Sequence, residues 1–262
     1  MRPVAPFLLA LTVPAFAFGH DTWLLPSRAT VAVGDAVMLE MTSAMRFPEP
    51  EVPVKPERIA RSGLRLGGAT LPLAPQKGGT KALRLSATPH VEGLATVWAE
   101  SLPRDIDMKA NEVDHYLAEA GATEVRDVWT KAGRGPWHET YVKYTKSFVT
   151  VGAPREDRSW AQPVGMALEI VPQADPARLA SGQRLAVRVL EDGKPAAGLS
   201  VAAATTRGAV VSTEVTDPEG RASFVLGHSG PWLIKAIRIR AGEAPGSWRS
   251  RFTTLTLDVA AP

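Results

Sequence analysis

Glycine and proline divide this chain into short apolar segments, and that spacing favours a β-rich fold. The sequence has 22 glycines and 22 prolines among 262 residues. Between them, β-branched or aromatic residues alternate with polar ones, as in residues 94–100 and 140–151. Alternation with a period of two is typical of strands that bury one face. Short strands separated by turn residues at this spacing are typical of sandwiches.

The order of the predicted elements indicates two β-sandwich domains of immunoglobulin-like or prealbumin-like type. The first covers residues 20–152 and contains a helical insertion near 109–121, where apolar residues recur at helical spacing. A polar, proline-bounded stretch at 152–163 is the predicted boundary. The second domain covers 164–262 and contains about seven strands at the spacing of a small sandwich. Six of these strands are predicted at 166–172, 179–190, 199–205, 221–226, 232–240 and 251–259.

The first 19 residues resemble an export signal. Arg2 precedes an apolar segment at 7–16, and Ala15-x-Ala17 is a small-residue cleavage pattern. After this segment no apolar run approaches the roughly 20 residues that cross a bilayer. We therefore expect a periplasmic protein that is soluble after export, processed after Ala17 or after Gly19.

Either cut leaves His20 close to a free amine. The first cut makes Phe18-Gly19-His20 the mature start, in which an amine, two amides and an imidazole can form a square-planar nitrogen site. The second cut puts His20 first, so that its own amine and ring can chelate one ion. The square-planar geometry of the first arrangement suits copper or nickel. The alternative interpretation is a histidine that is near the start by chance.

Further donors have to come from distant segments, because no His-Glu-x-x-His pattern occurs. His138 follows a Gly-Pro-Trp loop, His115 lies on the predicted helix and His90 lies in a turn. Asp21 and Glu139 are the candidate carboxylates, as ligands or as acceptors that orient an imidazole. For each of these residues the alternative is an exposed polar side chain.

Composition narrows the remaining functions. The chain has no cysteine, so disulfides, thiolate metal sites and cysteine nucleophiles are excluded. The formal net charge of +3 is spread along the chain and does not predict nucleic-acid binding. Neither a Gly-x-Ser-x-Gly elbow nor a phosphate-binding glycine loop is present. We therefore do not expect an enzyme.

Four segments carry a family resemblance. The start His20-Asp21-Thr22-Trp23-Leu24-Leu25-Pro26 after a signal peptide resembles the periplasmic family known as domain of unknown function 4198. Residues 141–149, 168–172 and 192–221 resemble its later parts in the same order. Some members are labelled as periplasmic components of cobalt or nickel uptake. The resemblance thus implies a metal-binding role, with a membrane metal transporter as the partner.

Two other functions stay open at this stage. The sandwiches could form a protein–protein interaction module of the envelope that binds no metal. A copper enzyme with a histidine brace would need the cut after Gly19 and a second histidine close to His20.

Overall fold

The computed structural model describes residues 20–153, 155, 158–206 and 210–262. The predicted signal peptide and both cleavage positions lie outside the described residues. Neither helix among the described residues has the length and apolar character needed to cross a bilayer.

The described residues of the first part of the chain form eleven strands and two α-helices. They are β1 (Asp21–Pro26), β2 (Thr30–Val31), β3 (Val37–Ala44), β4 (Val52–Pro53), β5 (Ile59–Leu66), β6 (Ala69–Leu71), β7 (Ala74–Gln76), β8 (Leu83–Ala87), β9 (Gly93–Ser101), β10 (Arg104–Met108), α1 (Ala110–Glu119), α2 (Thr123–Lys131) and β11 (Trp137–Val151). The predicted helical insertion is α1, and it ends at Gly121, whose φ of +62° is left-handed.

In the second part of the chain, eight strands are formed by the residues that the structure describes. They are β12 (Leu168–Pro172), β13 (Arg184–Glu191), β14 (Lys194–Pro195), β15 (Ser200–Thr205), β16 (Val210–Val215), β17 (Arg221–Val225), β18 (Gly230–Ala241) and β19 (Ser247–Val259). The strand predicted at 179–190 begins only at Arg184, because a 3₁₀ turn at Pro176–Arg178 and a glycine turn at Gly182 precede it.

The strands form three sheets, which confirms the predicted mainly-β sandwich fold. The longest has the order β16-β15-β18-β19-β11-β9-β5-β6, with β10 and β2 also paired to β11. A five-stranded sheet contains β1, β3, β4, β7 and β8, and a four-stranded sheet contains β12, β13, β14 and β17. β11 pairs in parallel with β19, from His138 opposite Ser247 to Lys146 opposite Leu255. The long sheet therefore contains strands from both sides of the predicted boundary at 152–163.

The strand β9 separates two hydrophobic cores. Leu94 and Trp98 pack into a core with the four-stranded sheet. Ala95 and Val97, which point to the opposite face, pack into a core with the five-stranded sheet. A strand that is buried on both faces usually has a nearly continuous apolar sequence. β9 is buried at all but one of its nine positions.

A buried ion pair lies between the long sheet and the four-stranded sheet. The ammonium of Lys146 on β11 donates to the carboxylate of Glu169 on β12, and each side chain is 1% exposed. The same carboxylate accepts from the backbone N–H groups of Val164, Gly165 and Met166, at 2.8, 2.9 and 3.1 Å. Burial lowers the pKa of Lys146, and the Glu169 charge partly offsets that effect. The pair thus fixes the segment that leads into β12.

We predict that Glu169→Gln lowers the free energy of unfolding by about 3–5 kcal/mol, since it leaves a buried ammonium without a counter-charge. The double variant Lys146→Met/Glu169→Gln should recover part of this loss, because the amide oxygen still accepts from the backbone. Urea unfolding of the three proteins measures both effects. A double variant no more stable than the single one would contradict this account. Removing the exposed Arg249–Glu243 pair by Arg249→Gln is the control, expected to cost less than about 1 kcal/mol.

Candidate functional site

The first strand is held on both edges, and this fixes the position of His20, which directly precedes it. One edge of β1 pairs with β3 along its whole length. At the other edge the hydroxyls of Thr254 and Thr256 on β19 donate to the carbonyls of Thr22 and Leu24, at 2.7 and 2.6 Å. Trp23 is 1% exposed and meets Phe47 edge to face, at 5.3 Å between ring centroids.

The side chain of His20 is 7% exposed and lies beside a carboxylate. Its Nε2 atom is 3.9 Å from Oε2 of Glu51, which is 54% exposed in the loop before β4. The backbone carbonyl of His20 accepts a hydrogen bond of 2.9 Å from the Lys143 ammonium. Both the ring and the backbone of His20 are therefore positioned by other parts of the chain.

Lys143, which donates to the His20 carbonyl, makes further contacts in this site. Its ammonium also donates to Oγ1 of Thr22 at 3.0 Å and lies 5.6 and 5.4 Å from the ring centroids of Tyr141 and Phe252. Burial lowers the pKa of Lys143 from 10.5 to about 8, Asp21 opposes this shift and Arg104 adds to it. Lys143 therefore carries its charge in a partly desolvated position.

The next residue of β1 is fixed by an ion pair. The carboxylate of Asp21 accepts from the ammonium of Lys235 on β18 at 2.6 Å, with the side chains 16% and 14% exposed. This pair ties the beginning of β1 to the centre of the long sheet. Asp21, a sequence candidate for a ligand or orienting group, thus has a strong cationic partner.

His20 lines two cavities of different character. The first, which we name the apolar cavity, has a volume of about 320 Å³ and lies between α1, β15, β16 and β18. Its lining is mostly apolar and includes Ala202, Ile237 and Phe252, while Asp21 and Lys235 are among its polar groups.

The second cavity, which we name the basic cavity, has a volume of about 450 Å³. It lies between the β3–β4 side of the five-stranded sheet and the β10–β11 part of the long sheet. Four cationic side chains line it, those of Lys55, Arg58, Arg104 and Lys143. No carboxylate is among its described lining residues.

A buried polar network lies beneath α1. Glu139 is 2% exposed; its carboxylate accepts from the Trp137 indole at 2.7 Å and lies 3.1 Å from the Tyr116 hydroxyl. That hydroxyl is also 3.3 Å from Oγ of Ser250. Burial raises the pKa of Glu139 and, with the adjacent Glu139 charge, that of Tyr116. These hydrogen bonds hold α1 on the sheet, and Trp137 stacks on Trp248 at 4.3 Å.

The structure does not place the other candidate histidines beside His20. His138 is 60% exposed and contacts Asp107; it precedes Lys143 by five positions on β11, roughly 16 Å along an extended strand. His115 is exposed on α1 and His90 is exposed before β9. None of the three lines either cavity beside His20. Among the described residues no three histidine, aspartate or glutamate side chains form a group that could hold a metal ion.

Several residues of this site were missed by the sequence reasoning, chiefly Glu51, Arg104 and Lys143. Lys143 and Lys146 interrupt the apolar and aromatic alternation of β11, which is a sign that the strand buries charge. Nothing in the sequence pattern links Glu51 to His20, because they meet only through the pairing of β1, β3 and β4.

Comparison of the sequence with known protein families shows which family it belongs to. The model of the family described as domain of unknown function (DUF4198) matches residues 17–240. The chain belongs to this family. No curated protein matches the DUF4198 chain at a significant level.

Several solved structures match the chain at low sequence identity and low TM-score. The D0-D1 domain of intimin is 15% identical, with 88% of this chain and 96% of that chain covered, at a TM-score of 0.23. The BSP domain of a biofilm-associated protein is 11% identical, covering 90% and 30%, at 0.24. Trypsin-activated alpha-2-macroglobulin from Escherichia coli is 11% identical, covering 93% and 16%, at 0.27. Likeness at this level says nothing about activity or partners.

We predict that stability changes with pH through Glu139. Because its pKa is raised in the folded state, the native protein favours the protonated carboxyl, and that contribution is lost as pH rises from about 4.5 through the folded pKa. The free energy of unfolding of the wild type should fall relative to Glu139→Gln across this window, by about 1.4 kcal/mol for each unit of the shift. Urea unfolding at several pH values measures this difference. Parallel curves for the two proteins would contradict it, and the exposed Glu119→Gln variant serves as control.

Proposed function

We propose that the mature protein is a periplasmic, non-enzymatic binding protein for a transition-metal cation, nickel, cobalt or copper, with His20 as the anchor. The observation that carries this proposal is the position of the His20 ring, 3.9 Å from the Glu51 carboxylate, at the start of a strand held on both edges. The role is in metal uptake or handling, with a membrane metal transporter as the partner.

The donor set supports this class of metal. Processing after Gly19 gives His20 a free amine, which can chelate one ion together with Nδ1 of its own ring. The Glu51 carboxylate lies 3.9 Å from Nε2, where it favours a proton on that nitrogen and leaves Nδ1 to bind the ion. Processing after Ala17 instead supplies an amine, two amides and the same imidazole. Nitrogen-rich sites of this kind suit divalent nickel and copper, and cobalt enters the proposal through the label that some members of the family carry. An α-amine is not a side-chain group, so the lack of a three-side-chain cluster among the described residues does not count against such a site.

Preorganisation is the second support. A flexible chain terminus loses conformational entropy when it binds an ion. Here the carbonyl of His20 is bound by Lys143, and Asp21 is paired with Lys235. A copper enzyme with a histidine brace has less support, because no second histidine is among the described residues that line either cavity beside His20.

The test is isothermal titration of nickel, cobalt and copper into exported protein whose mature start has been verified by intact mass. We expect His20→Ala to abolish the binding and Glu51→Gln to weaken it about tenfold, as the loss of a ligand or of an orienting group does. His138→Ala is the matched control, because His138 is exposed and distant along β11, and it should leave the affinity unchanged. Equal affinities of the wild type and His20→Ala would refute the proposal.

The edge strand β16 favours a second candidate, a protein–protein interaction module. Among the described residues β16 pairs only with β15 and ends the long sheet. Val211 and Val215 on it are 50% and 67% exposed. An exposed apolar edge is a template for an added strand. A crosslinker placed at position 215 should capture a partner protein in the periplasm. Loss of that crosslink in Val211→Lys, and its persistence after metal removal, would support this role over metal binding.

A further inference from the structure

The basic cavity collects positive charge that the described residues do not neutralise. Arg58 is held in place by the carbonyls of Leu102 and Pro103, at 2.7 and 3.0 Å. Lys143 is held by His20 and Thr22. The side chains of Lys55 and Arg104 form no hydrogen bond or ion pair with any other described residue.

Asp21 and Glu139 partly offset the charge of Lys143 from outside the basic cavity, but no carboxylate is among the described residues that line it. Asp21 is bound to Lys235 at 2.6 Å, and Glu51 lies beside the His20 ring. Neither residue lines the basic cavity. Arg104 is close enough to Lys143 to lower its pKa, so the cations repel each other. Like charges gathered in a concave site attract an anion of opposite sign.

The geometry of the cations suits an oxyanion. A guanidinium offers paired N–H donors that match the two oxygens of a carboxylate, and the free fork of Arg104 is available for that contact. Arg58 and Lys143 are already oriented, so they lose little freedom when a ligand binds.

The remaining wall of the cavity is partly apolar, with Thr22, Ser43 and Ser101 as its polar members. Met41, Val52, Val54 and the Tyr141 ring contribute to it. The volume of about 450 Å³ is within the range of small-molecule sites and exceeds what an inorganic ion needs. A ligand that fills it therefore has an anionic head and a hydrocarbon or aromatic body.

We propose that the basic cavity is a binding site for a small organic carboxylate, with Arg104, Arg58, Lys55 and Lys143 facing the carboxylate and the apolar wall facing its body. This goes beyond the proposed metal function and does not depend on it, because the cationic residues include none of the proposed metal ligands.

The test uses full-length mature protein freed of metal on a chelating resin, since soluble chelators are themselves carboxylates. Benzoate and hexanoate are titrated by calorimetry, together with benzamide, which keeps the ring and lacks the charge, and with inorganic phosphate. We expect at least one of the two carboxylates to bind with a dissociation constant below about 10 mM, and more tightly than benzamide and phosphate do. Arg104→Gln and Lys55→Gln should each weaken it about tenfold, as loss of a charge-assisted contact does.

Lys194→Gln is the matched control, since it removes an exposed lysine on β14, outside the cavity. It should leave carboxylate binding unchanged. The proposal fails if neither carboxylate binds, if benzamide or phosphate binds as tightly, or if Lys194→Gln weakens binding as much as Arg104→Gln. Metal titration of His20→Ala is a separate measurement, so failure of one proposal does not decide the other.

Discussion

The buried pair of Lys146 and Glu169 is the interaction on which the arrangement of the two halves depends. Moving both charges out of water costs several kcal/mol each, and the cost is offset only if the geometry is good and the remaining hydrogen-bonding groups are satisfied. Glu169 meets this condition with three backbone N–H groups of the segment 164–166 in addition to the ammonium. The pair therefore specifies where the chain leaves the first half and how β12 approaches the long sheet.

The position of the candidate site follows from that arrangement. β19 pairs with β11 in parallel, so Thr254 and Thr256 come to lie beside β1, and Lys143 comes to lie beneath His20. Residues from both halves of the chain thus hold the first strand. His20 lines both the apolar cavity and the basic cavity.

The sequence pattern predicts the local elements well and the long-range pairing poorly. The helix predicted at 109–121 is present as Ala110–Glu119, and the strand at 140–151 is present as Trp137–Val151. The edge strands β10 and β16 were not predicted, because edge positions are mostly exposed and lack apolar alternation. Parallel pairing of β11 with β19 leaves no local signal, since it joins residues about 110 positions apart. The site was therefore predicted at His20 and Asp21 but not at Glu51, Arg104 or Lys143.

The shared sheet has a consequence for dissecting the protein. β19 lies between β18 and β11, and its hydrogen-bonding groups on one side are satisfied by a strand from the other half of the chain. A fragment that begins at residue 164 would leave that side of β19 unpaired, together with the apolar partners of Tyr144 and Phe148. Such a piece would tend to self-associate, so the two halves of the chain have to be expressed together.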